Sequence, residues 1–318
     1  MTQDLNPLPG RSALPGLALV KGYNPTVDYM RFLAALVIVL FHAHAPGGQA
    51  GETAVGYFTL VMVWFALHGA SRHTGPLGPV LRSRCIKLLY PFVVWNLIYL
   101  SAKAAQTMVS GGSFWDEVAK WLPPAGSFGQ LWFLPWAAVI SAGIFMAAQS
   151  IRFEIRTPQA AAIGIGLAAL VTLGALRLWT HAELPPFLAL SVLYLPSVVV
   201  GIVIFALRHA PLALLAAAMG TSLFGLMLQQ FGYQGAQQLI FAAPLMALSL
   251  FLPTPRFRWT KAAGVMSMDI YLVHLLSIAI MSATVGIPAT LSGSILIVLL
   301  AFAMALPLQI PILGRWLR

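Results

Sequence analysis

A small set of side chains that can hold or move a proton sits inside long apolar stretches of this chain: Arg31 with His42, then His68, then Arg84 with Lys87, and late in the chain Asp269 with His274. An ionisable group at the centre of a bilayer carries a penalty of about 2.5–3.5 kcal/mol or more, so each of these positions asks for a reason. Asp28 and Arg31 are three residues apart and can pair on one helical face. His42 follows Arg31 by eleven residues, which on a helix is about 16 Å of rise and about three turns, so both project from the same side. His44 does not share that face. A histidine in an apolar neighbourhood is suited to act as a general base towards a water-filled cavity, and equally to serve as a structural group bonded to a neighbouring helix.

Ser267, Asp269, Tyr271 and His274 form a second polar cluster, in which Tyr271 and His274 share a face. Counted from the start of its segment, His274 reaches roughly 18 Å, a depth close to that of His42, and the two rings can meet in one cavity. Asp269 is shallower by about 7 Å and turned elsewhere, so pairing with a cytoplasmic arginine is its expected fate. Arg84 and Lys87, with Arg82 beside them, place three cations at one segment's mouth. That arrangement either marks the cytoplasmic side or suits a polyphosphate or nucleotide ligand, with arginine gripping phosphate bidentately. Trp95, Trp132 and Tyr271 can wall a sugar or acyl chain, or pack helix ends.

Other chemistries find little support. His42 and His44 diverge, and neither an H-E-x-x-H motif nor a cysteine cluster is present, so no metal site is expected. Gly111 and Gly112 do not follow a strand and make no phosphate loop. The single cysteine, Cys85, excludes an intramolecular disulfide and reads either as a small apolar filler or as a thiol nucleophile.

The elements that carry these residues follow from composition. Of 318 residues, 59% are apolar and 8% charged, a balance that makes the bilayer the solvent. Ten apolar stretches near residues 28–45, 54–71, 85–107, 131–150, 159–178, 187–207, 211–229, 236–252, 263–284 and 288–306 each approach the roughly 20 residues that span a hydrocarbon core. They are apolar on every face, which excludes the alternating strands of a barrel and predicts an all-α integral membrane bundle of about ten helices. The net charge of +10 is scattered between these stretches and not gathered on one face, so nucleic acid is not an expected partner. Placing both termini in the cytoplasm leaves only Lys103, Lys120 and Arg177 outside, of 18 Lys and Arg. Residues before Lys21 lack the features of a secretory signal. The expected organisation is a flexible cytoplasmic segment over 1–27, one helical domain over 28–306 and a short cytoplasmic tail over 307–318. The connection 108–130, with Trp115 and Trp121, faces outside as an interfacial segment or as a cover for an acceptor site.

Four segments together resemble the acyltransferase-3 family. The run from Asp28 through Arg31 to His42 is similar to that family's opening signature. Arg84 to Asn96, including Lys87, Pro91, Phe92 and Trp95, resembles its R-x-x-R/K segment ending in P-F-x-x-W. Gln130-Leu131-Trp132-Phe133-Leu134 resembles its LWFL motif, and Ser267 to His274 its late Y-L-x-H. The resemblance implies a ten-span bacterial inner-membrane acyltransferase that moves an acyl group, usually acetyl, from cytoplasmic acyl-CoA to a hydroxyl of an exported or lipid-linked sugar, polysaccharide or glycolipid. It implies His42 as catalytic base, Arg31 as its partner, and Arg84 with Lys87 as contacts to the CoA phosphates. Lys87 keeps the charge of the more usual arginine and loses its fork. Acetyl-CoA would be a co-substrate with no permanently bound cofactor, and polysaccharide-synthesis proteins would be candidate partners alongside membrane lipid. Two readings compete with this one. A transporter or flippase for such sugars also explains buried polar groups, although no inverted repeat is evident. A purely structural membrane subunit leaves the shared depth of His42 and His274 without a purpose.

Overall fold

The computed structural model describes residues 24–46, 48, 51–115, 129–150, 158–181, 183–252, 254–285 and 290–317. Among them the chain is helical and forms no strand. The elements are α1 (Pro25–His42), α2 (Gly51–Arg72), α3 (Leu77–Val109), α4 (Phe133–Ser150), α5 (Pro158–His181), α6 (Pro186–Ala206), α7 (Pro211–Gln230), α8 (Ala243–Phe251, entered through a π turn at Gln238–Ala242), α9 (Thr260–Thr284), α10 (Leu291–Ala305) and a short α11 (Pro311–Leu317). The first ten stand where the ten apolar stretches lie. Among the described residues eight spans are long and apolar enough to cross a bilayer on their own, while the apolar parts Gly164–Thr180 and Gln238–Phe251 are shorter. Leu97, Val139, Leu170, Leu223 and Leu296 are each more than half exposed. On so apolar a protein such side chains are satisfied by lipid, with backbone polar groups kept inside the helices.

Helix boundaries differ from those expected, for local reasons. Asn24 caps α1 by accepting from the Thr26 amide at 3.0 Å, and Pro25 fits the first helical position, so α1 begins three residues before the expected start. It ends at His42, because His44 takes a left-handed φ of 53° and turns the chain away. His42 therefore sits in the last turn of α1 and not in mid-helix. α3 begins at Leu77 behind Pro76 and runs for 33 residues. At about 1.5 Å per residue it is longer than a hydrocarbon core is thick, so its first turns, with Arg82 and Arg84, need not lie in lipid.

Most of the expected segment 1–27 lies outside the described residues, and Asn24 to Val27 cap and begin α1. The chain after α10 forms a 3-10 turn at Leu306–Gln309 and then α11, whose Leu317 carbonyl accepts from Trp95 Nε1 at 2.8 Å. Of the outer connection, only the part up to Trp115 and from Gly129 is described, and Trp121 lies outside it.

Polar ties fix the start of α1 against α8 and α9. Asn24 Nδ2 donates to the Ser249 carbonyl at 2.8 Å, Thr26 Oγ1 donates to the Leu252 carbonyl at 2.6 Å, and the hydroxyls of Tyr29 and Thr260 share a bond of 2.6 Å. α1 packs most extensively on α9 and next on α2, while α2 also touches α4 and α6. Gly264 on α9 is what lets α1 approach so closely: a Cβ there would lie 2.4 Å from Asp28 Oδ1. The result is a layer of α1, α2 and α9 around which α3, α4 and α6 leave a cavity.

Candidate active site

That cavity has a volume of about 1300 Å³ and draws its walls from α1, α2, α3, α4, α5, α6 and α9. Its two ends are chemically different. At one end Arg31, Ser83, Arg84 and Lys87 line it, with Lys87 exposed. Arg84 is held by α2, where Nη2 donates to the Phe65 carbonyl at 3.3 Å, and its guanidinium lies over the Phe145 ring at 4.8 Å from the centroid. Gly69 gives it room, since a Cβ there would meet Arg84 Nη2 at 2.3 Å. A guanidinium has five N–H donors, so this anchoring leaves several for an anion. Arg31 Nη1 pairs with Asp28 Oδ1 at 3.1 Å.

At the other end stand Glu52, Gln130, Trp132, Tyr194 and Gln234. Glu52 and Phe65 are 13 residues apart on α2, which is about 20 Å of rise and so approximates the separation of the two ends. Between them the wall is largely apolar, formed by Ile38, Val61, Met62, Leu134 and Ala137 among others.

His42 lines the cavity at the end of α1, the same end at which α2 begins. Its ring is 5.1 Å, centroid to centroid, from that of His274, which is fully buried. His274 Nδ1 lies 2.7 Å from the Tyr271 carbonyl oxygen. A carbonyl can only accept, so Nδ1 carries the proton and Nε2 of the neutral ring is left with a lone pair. Nε2 is buried and finds no hydrogen-bond partner among the described residues. Tyr271 lines the cavity and donates its hydroxyl to the Gln130 carbonyl, tying α9 to the turn before α4. Trp132, also on the wall, packs against Tyr194 at 5.2 Å and Trp136 at 5.6 Å.

Several expected residues stand elsewhere. Arg82 is exposed and outside the cavity wall, because it falls on another side of α3 from Arg84 and Lys87. Trp95 is buried and directed at α11, and Asp28 faces Gly264 with Arg31 as a partner. Asp269 is fully buried and accepts from Gln309 Nε2, an amide supplied by the segment after α10. His68 stacks on Trp64 at 6.5 Å. Among the described residues no group of three metal-ligating side chains gathers. Glu52, Gln130, Gln234 and Tyr194 were not anticipated as cavity residues. Glu52 was passed over because α2 was expected to begin after it, and its one available signal was an acid heading a long apolar run.

The helical bundle and its internal cavity, with His42 towards one end and arginine and lysine at the other, define a multi-pass membrane protein with polar groups inside an apolar shell. The chain belongs to the acyltransferase-3 family, whose model, described as an acyltransferase domain, matches residues 24–313. It is thus a membrane acyltransferase. No curated protein and no solved structure matches it.

Proposed function

We propose that the protein transfers an acyl group, acetyl in the first instance, from cytoplasmic acyl-CoA to a hydroxyl of an exported or lipid-linked sugar, with His42 as general base. The observation that carries this reading is the placement of His42, with His274 behind it, in a cavity whose far end is lined by Arg31, Arg84 and Lys87. The CoA phosphates dock on Arg84 and Lys87, and the pantetheine arm lies along the apolar middle of the cavity. Its thioester is thereby presented near His42. The acceptor hydroxyl gives its proton to His42 as its oxygen attacks the thioester carbonyl; the tetrahedral intermediate then collapses, the C–S bond breaks, and the departing CoA thiolate takes the proton back from the imidazolium. The Nε2 lone pair of His274, which has no hydrogen-bond partner among the described residues, is available to accept a hydrogen bond from His42 once that ring takes up the proton. Arg31 adds positive charge on the donor side of the cavity.

The distribution of Lys and Arg favours a bacterial inner membrane with both termini in the cytoplasm, so that Arg84 faces the CoA pool. A transporter is the competing reading, and the reach of the cavity between both ends of the bundle favours it. The apolar middle argues against it, since a hydroxyl-rich sugar would leave its water there without replacement.

Radiolabelled acetyl-CoA supplied to membranes that carry the intact protein, His42→Ala or Arg84→Ala tests the reading. Label should reach cell-surface glycan with the intact protein and fall to background with both variants. Absence of CoA-dependent labelling by the intact protein would favour the transporter.

A further inference from the structure

The end of the cavity remote from Arg84 carries chemistry that a CoA thioester does not require. Among the described residues Glu52 is the only carboxylate on the cavity wall, and it is half-buried. Gln130 is 4% exposed on that wall; its side-chain neighbour among the described residues is the Tyr99 hydroxyl, and its Oε1 accepts from no group there. A buried primary amide whose oxygen accepts nothing is destabilising unless a ligand supplies a donor. Gln234 is exposed and brings a second amide to the same rim. Tyr194 is an electrostatic neighbour of Glu52 and packs against Trp132, so an aromatic wall stands beside these polar groups.

Each group restricts the ligand. A carboxylate only accepts hydrogen bonds, so Glu52 suits hydroxyl or ammonium donors. An amide both donates and accepts, as the vicinal hydroxyls of a ring do. The flat faces of Trp132 and Tyr194 offer apolar area to the C–H face of such a ring. Among the described residues no lysine or arginine lines this end, so a bound anion would meet the charge of Glu52 there.

Resting on the acyltransferase reading above, we propose that this end is the acceptor subsite and that Glu52 makes it charge-selective. It takes a hydroxylated ring that is neutral or bears an amino group, and it rejects carboxylated or phosphorylated rings. The two ends of the cavity then sort the substrates by sign: the polyanionic donor is drawn to Arg84 and Lys87, and the acceptor is confined to the side of Glu52.

Saturation-transfer NMR on the purified full-length protein in detergent, with glucose, glucosamine and glucuronate as probes, reads this directly. Glucuronate should bind about tenfold more weakly than glucosamine, equivalent to about 1.4 kcal/mol. That ratio should shrink towards one in Glu52→Gln and invert in Glu52→Lys. Gln130→Glu, which adds a second negative charge without touching Glu52, should widen it. Equal binding of glucuronate and glucosamine by the intact protein, binding of none of the three, or a ratio unmoved in all three variants would overturn the proposal. Labelled acetyl-CoA separates this from the parent reading. If the sugars bind in the expected order but no acetyl is ever transferred, the acyltransferase reading fails and the subsite stands; if acetyl is transferred and glucuronate accepts it as readily as glucosamine, the subsite assignment fails and the acyltransferase reading stands.

Discussion

The Tyr271 carbonyl occupies Nδ1 of His274, and that one bond leaves the ring a single lone pair, on Nε2, with no partner among the described residues. Replacing His42 with alanine should lower kcat by about 10²–10⁴, the usual contribution of a positioned base, in an acetyl-transfer assay. His274→Phe keeps the ring and removes the lone pair. It should lower kcat about tenfold or more while leaving the KM for acetyl-CoA unchanged, whereas His274→Gln, whose side-chain carbonyl can accept, should recover part of that loss. At the other end of the cavity, Arg84→Lys keeps the charge but gives up the planar fork. The expected outcome in steady-state kinetics is a KM for acetyl-CoA raised about tenfold with kcat little changed.

Helices bring these residues together only because two glycines let their neighbours come close. On α2, Gly69 faces the Arg84 guanidinium. Gly69→Leu should push that side chain away from the Phe65 carbonyl, and so raise the KM for acetyl-CoA in a protein that still folds, because the group displaced is the far end of a flexible chain. On α9, Gly264 faces Asp28 at the tight seam with α1. Gly264→Val should lower stability by about 1–3 kcal/mol, through overpacking, and should appear as a lower midpoint in thermal unfolding of the purified protein. The ten apolar helices were legible in the sequence because each is a long run of apolar residues between turn formers. Their ends were less so, because caps decide them: Asn24 and Pro25 set the start of α1, and the left-handed turn at His44 sets its end. Glu52 escaped notice for the same reason, since it joins the cavity only when α2 is known to begin at Gly51. The register of Arg82 on α3 was likewise out of reach, because charge alone does not say which side of a helix another helix will cover.

For the molecule as a whole, helical rise was enough to give His42 and His274 similar depths, and their rings lie 5.1 Å apart. What rise does not give is which helices close a cavity, and so Gln130, Gln234 and Tyr194 emerge only from the packing of α4, α6 and the turn after α7 around α2. The orientation proposed from the placement of Lys and Arg can be checked chemically. In a Cys85→Ser background, Thr74→Cys between α2 and α3 should react with an impermeant maleimide only in inside-out vesicles, and Ser110→Cys at the end of α3 only in intact cells whose outer envelope has been opened. The length of α2 has a further consequence. Glu52 and Gly69 are seventeen positions apart, about 26 Å along one unbroken helix, so on the proposed function α2 would be a ruler whose marks are the grips for the two substrates. Deleting one residue between those marks would turn one grip by about 100° away from the other, leaving each substrate a place to bind and no common axis on which to react.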